Sequence, residues 1–141
     1  MAKLDELRQD ALHMALELLE KRGEFAPVCM VEMADGTVQP LIVAGDATDT
    51  NELIGWYVEE LQARAQNGEL AASALAVDVR VKHPETGAAT DAIITMLRSA
   101  GHATDITTPY MLETSGFLRR KRTITLGTQV EATPTNNEVF G

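Results

Sequence analysis

The chain has a single cysteine, Cys29, so no intramolecular disulfide can form and nothing requires an oxidising compartment. Aromatic residues make up only 4 %, so the core has to be built from Ala, Val, Leu, Ile and Met. No apolar run approaches the roughly 18 residues that a membrane span needs. The opening Met-Ala-Lys-Leu-Asp-Glu-Leu-Arg is charged, unlike the apolar stretch of a signal peptide. A cytoplasmic protein is the expectation. Positive charge is scarce too: 12 Lys and Arg against 21 Asp and Glu leave a net charge of −9. That balance predicts no nucleic-acid partner and no anionic membrane partner, because phosphates would repel the chain.

Chemical motifs are equally thin. The ten glycines are scattered singly at turn positions, so there is no glycine-rich phosphate loop. Ser115 precedes Gly116, but Gly-x-Ser-x-Gly is absent. His13, His83 and His102 lie far apart, with no His or Cys at ligand spacing, which predicts no metal site. Cys29 sits between Val28 and Met30 in an apolar strand pattern and reads as a small buried hydrophobe rather than a nucleophile. No catalytic residue and no cofactor are assigned.

What the sequence does contain is periodicity. With 141 residues and 45 % hydrophobic content, it is long enough for one domain with a real core. Leu4, Leu7, Ala11, Met14, Ala15 and Leu18 form a helical stripe over Lys3–Arg22, widened by Leu12, Leu16 and Leu19 and stopped by Gly23. Phe25–Met33 and Thr37–Ala44 read as strands joined by the hairpin signal Asp35-Gly36, with Pro40 marking an edge. Asp49 and Glu52 fit a capping box that opens a second helix over Asn51–Asn67, with Leu53, Ile54, Tyr57, Val58, Leu61 and Ala65 on its inner side. Ala71–Lys82, Thr90–Arg98, Ala103–Glu113 and Phe117–Ala132 alternate as strands. The expected fold is α+β: an antiparallel sheet of five to six strands with two helices packed on one face. The order is helix, strand, strand, helix, then three or four strands. Residues 1–132 form the domain, and Thr133–Gly141 is a polar tail expected to fray.

Gly23-Glu24-Phe25-Ala26-Pro27, Ala74-Leu75-Ala76-Val77-Asp78-Val79-Arg80-Val81, Thr90-Asp91-Ala92-Ile93 and Pro109-Tyr110 together resemble a set of small bacterial proteins that carry no assigned function. The likeness runs from Gly23 to Tyr110. It implies a soluble bacterial protein and transfers no catalytic residue. By order of elements, the chain is also similar to profilin-like and roadblock-type folds, a likeness of shape that does not carry function.

The candidate binding residues are three groups and, separately, Tyr110 of the Pro109-Tyr110 motif. Asp78 and Arg80 share a strand face, and an even hairpin would bring Asp91 beside them. Paired carboxylates can perform acid–base work, while an Asp–Arg pair on a half-exposed sheet contributes little. Arg119, Arg120, Lys121 and Arg122 form a basic run, and removing these four charges from a net −9 leaves −13 for the rest. The run could hold an acidic protein partner or guard a sheet edge. Trp56 lies off the inner stripe of the second helix, where it can anchor an interface or cap the core. The favoured reading is a non-enzymatic protein-interaction or regulatory domain acting as a homodimer. A small-ligand sensor is the alternative, and a hydrolase-type enzyme using Asp78 and Asp91 is the third reading.

Overall fold

The computed structural model describes residues 2–43, 49–82, 86–116 and 121–141. Helix α1 spans Ala2–Arg22. Strands β1 (Val28–Met33) and β2 (Val38–Leu41) follow, then helix α2 (Thr50–Gln66). Five further strands complete the chain: β3 (Leu70–Lys82), β4 (Ala89–Ser99), β5 (His102–Ser115), β6 (Lys121–Leu126) and β7 (Val130–Ala132). All pairings are antiparallel, in the order β2-β1-β3-β4-β5-β6, with β7 also pairing β5. The α+β class and the element order are as expected, and the sheet has seven strands rather than five or six.

Local signals account for the element ends. Gly23 adopts a φ of +81 that L side chains rarely take, and its N–H reaches Leu19 O at 2.8 Å, closing α1. Gly36, at φ +91, turns the β1–β2 hairpin while Asp35 Oδ1 accepts from Thr37 N–H at 2.9 Å. Asp49 caps α2 by accepting from Asn51 N–H. β2 is the sheet edge that Pro40 marks.

The stretch read as one long last strand is two. Gly127 N–H donates to Pro109 O, so at that position β5 faces β6 and β7. Proline has no N–H to return, and the ladder breaks there. β6 pairs residues 110–115 of β5 and β7 pairs 105–107. Gln129 Nε2 bridges the break by donating to Thr108 Oγ1 at 3.1 Å.

The helices do not share a face. Leu4, Leu7, Ala11, Ala15 and Leu19 of α1 pack with Ala72, Ala74, Ala76, Ile93, Leu97, Ile106 and Tyr110. Tyr57 and Leu61 of α2 pack with Cys29, Val31, Leu75 and Val77. Because alternate residues of β3 point to opposite sides, α1 and α2 lie on opposite faces of the sheet. The physical reason is in β3 itself: its Ala row is as buried as its Leu/Val row, so each face needs a cover. The Ala row is therefore not a free surface.

Within the segment expected to fray, residues 137–140 are packed, while Thr133, Thr135 and Asn136 are exposed. Val139 is 5 % exposed and belongs to the α2-side cluster, and Asn137 and Glu138 bond to the body of the domain. Apolar burial of Val139 together with side-chain hydrogen bonds overrides the polar composition of residues 133–141.

Candidate functional site

Four of the residues singled out from sequence meet on the α1 face. The ladder aligns Arg80 with Asp91 and Asp91 with Tyr110 across β3, β4 and β5. Tyr110 O–H donates to Asp78 Oδ1 at 2.7 Å, and Arg80 Nη1 lies 3.3 Å from Asp91 Oδ1. The chain leaving α1 runs past this cluster, with the Phe25 N–H favouring a charged Asp78 and Glu24 disfavouring it.

Electrostatics divide the cluster. Burial pushes the Asp78 carboxyl above its usual range. The hydrogen bond from Tyr110 works against that shift, and the charges of Asp91 and Glu24 add to it. Tyr110 is held protonated well past the usual phenol range, first by burial and then by its bond to Asp78. It is therefore a donor and not a base. The Arg80–Asp91 pair is solvated on both sides and contributes little. Each carboxylate already has a partner, so the cluster is internally satisfied. A hollow of about 160 Å³ adjoins Tyr110, lined by Thr90, Pro109, Met111, Thr125, Leu126 and Gly127. That is below the roughly 300 Å³ at which small-molecule sites begin.

The basic run plays a different part. Arg122 Nη1 donates to Lys21 O at 2.7 Å and to Glu20 O at 3.4 Å, capping the C-terminal carbonyls of α1 where a cation is favoured. Lys121 is exposed beside it. Arg119 and Arg120 lie outside the described residues. Lys121 and Arg122 also form one wall of a groove of about 450 Å³ between α1 and β6. Glu17, Glu20 and His13 form the other wall, and Leu16, Ile124 and Leu126 lie between.

Trp56 is half-buried and stands apart, lining a groove of about 380 Å³ with Ile42, Val43, Glu59 and Glu60. Cys29 is buried, its thiol pushed up to about 12 by desolvation. His13 is paired with Glu17 at 3.1 Å on the helix surface. His102 Nε2 contacts Thr104 Oγ1, and His83 lies outside the described residues. Among the described residues no group of three or more His, Cys, Asp or Glu could hold a metal ion.

Sequence reasoning missed a second cluster, on the α2 face. Arg98 is 2 % exposed and sits between Asp105 and Glu138, at 2.8 and 2.6 Å. The available signals were an arginine inside an apolar strand, Ile93–Ser99, and the apolar pair Val139-Phe140 in an otherwise polar segment. No protein-family model, curated protein or solved structure matches this chain.

Proposed function

We propose that this chain is a cytoplasmic, non-enzymatic protein-interaction domain that works as a homodimer, joined along the edge strand β6 and its groove with α1. The observation carrying this reading is the groove itself. One wall is acidic through Glu17 and Glu20, the other basic through Lys121 and Arg122, and the floor is apolar. A two-fold axis brings each wall against its opposite in the second copy, so the surface is self-complementary. β6 is a sheet edge with Leu126 43 % exposed, and edges offer unpaired N–H and C=O groups for strand addition. The second copy is then the acidic partner that the basic run calls for, and a net charge of −9 favours protein over nucleic acid. The lone, buried Cys29 is compatible with a reducing compartment, and no described helix is long and apolar enough to cross a membrane. The Ala row of β3 takes no part in this interface, since α1 covers it. Asp78 is held by Tyr110 and Asp91 by Arg80, which favours a binding role over catalysis.

Sedimentation equilibrium at micromolar concentration tests this. The expected result is a dimer mass at low salt that weakens at about 1 M salt, where the screening length falls to about 3 Å. Lys121→Glu should weaken the dimer further. A monomer mass at both salt concentrations would overturn the reading.

A further inference from the structure

Arg98 stands at the centre of a cluster that joins β4 and β5 to residues 137–140. Its Nε donates to Glu138 Oε1 at 2.6 Å, and Nη2 lies 2.8 Å from Asp105 Oδ1. Nη1 donates to Leu97 O and Thr104 O, both at 3.1 Å, which fixes the plane of the guanidinium. Gln62 of α2 donates its side-chain amide to the backbone O of Glu138. Val139 fills the apolar space beside Tyr57, Leu61 and Leu75. Directly across the ladder from Arg98 is Ser73, 1 % exposed, whose hydroxyl has no hydrogen-bond partner among the described residues.

The segment filling this cleft is held as a guest rather than as a strand. Among the described residues its backbone-to-backbone bonding is internal: Gly141 N–H to Asn137 O at 2.8 Å. Asn137 Oδ1 adds a local turn by accepting from Phe140 N–H at 3.0 Å. That turn presents Glu138 to Arg98 and Val139 to the apolar space. The anchors to the body are side-chain bonds, namely Arg98 to Glu138, Gln62 to Glu138 O, and Asn137 Nδ2 to Ser99 O and His102 O. A single charge-assisted bond to a carboxylate, an aliphatic socket and an amide clamp are parts that a peptide-recognition site can use. A buried Arg–carboxylate pair is weak evidence for stability, because the cost of desolvation offsets much of the attraction. Asp105 beside the guanidinium disfavours a phosphate dianion and leaves room for a single carboxylate.

We infer that this cleft is a docking site for a partner peptide carrying an acidic residue followed by an aliphatic and an aromatic one, and that residues 137–140 occupy it in cis. The tethered segment competes at an effective concentration of about 1 mM, so a partner must be locally concentrated or the segment displaced. The inference does not depend on the β6 dimer.

The test uses the full chain with a protease site inserted at Thr133, cut after folding. A fluorescent peptide of the sequence of residues 133–141 is then titrated by anisotropy. Saturable binding to the cut protein is expected, and at least about tenfold weaker binding to the uncut one. Glu138→Gln in the peptide, or Arg98→Met in the protein, should each weaken binding by about tenfold or more, the loss of one charge-assisted bond. Circular dichroism of the cut protein provides the control: unfolding on release of the segment would make it part of the core and overturn the proposal. So would binding that ignores Glu138→Gln. An uncut protein of doubled mass that reverts to monomer on cleavage would put a second copy in the cleft, and overturn it too.

Discussion

On β4, Ile93 points towards α1 and is fully buried, whereas its neighbour Ile94 points towards α2 and is half-buried. The two faces of one sheet are covered in different ways. On the α1 side, Ala11 and Ala15 meet Ala72, Ala74 and Ala76, and small residues on both partners let the helix lie close to the strands. α1 touches β1, β3, β4 and β6, and is tied to the edge by Arg8 to Glu131 and Arg122 to Lys21 O. On the α2 side, the contact centres on β3 through Tyr57 and Leu61 against Leu75 and Val77. Residues 137–140 fill part of what α2 leaves open. A tight face and a patched face are therefore built on alternate residues of the same strands.

The sharpest test of this contrast is truncation of the two adjacent isoleucines. Ile93→Ala empties a closed site and should cost about 2–5 kcal/mol, while Ile94→Ala removes atoms that already meet solvent and should cost less than about 1.5 kcal/mol. Urea denaturation of both variants measures the difference. Equal costs, or the reverse order, would mean that the α2 side is packed as tightly as the α1 side.

Small-residue packing predicts the next effect. Ala74→Leu forces extra volume between α1 and β3 and should cost about 1–3 kcal/mol. Ser73→Ala, one residue away on the other face, removes a buried hydroxyl that has no partner among the described residues and should be neutral or stabilising by up to about 1 kcal/mol. If Ala74→Leu is silent in thermal melts, α1 does not approach the sheet closely and the contrast fails.

These residues also show what was legible beforehand. Element type and order could be read because helical and strand periods differ, and because Asp35-Gly36, Asp49 and Gly23 are local punctuation. Helix placement was misread in one strand. Leu75 and Val77 alternate with Ala74 and Ala76, and placing both helices on one face left the Ala row without a cover. Two apolar rows on one strand mean two covered faces, and alanine is what a close helix requires. The approach of Asp91 to Asp78 and Arg80 was legible from hairpin register, since antiparallel pairing fixes which residues stand opposite, whereas Tyr110 joins them only through the β4–β5 ladder. The Arg98 cleft was not. Its members come from β4, β5, α2 and the segment after β7, and no local pattern links residues so far apart in sequence. Arg122 was noticed as charge, but its role as a cap for α1 depends on β6 lying against the end of that helix.

Where α1 ends, the tight face gives way to the polar cluster, and the smallest predicted effect lies there. Asp78 is partly buried, and its carboxyl titrates above the unfolded value of 3.8 because burial, Asp91 and Glu24 all disfavour the charge. The folded state thus holds this proton more tightly than the unfolded chain does. Stability from this group is fully present below the unfolded value and is lost as pH rises through the folded one. Asp78→Asn keeps an acceptor for Tyr110 and removes the charge. The variant should therefore gain on the wild type as pH is raised from 3 to 7, with little difference between them at the acid end. Urea denaturation of both proteins at pH 3, 5 and 7 measures this. A difference that does not change with pH would mean that the charge on Asp78 is not disfavoured, and that closure of the α1 face extends no further than Ile93.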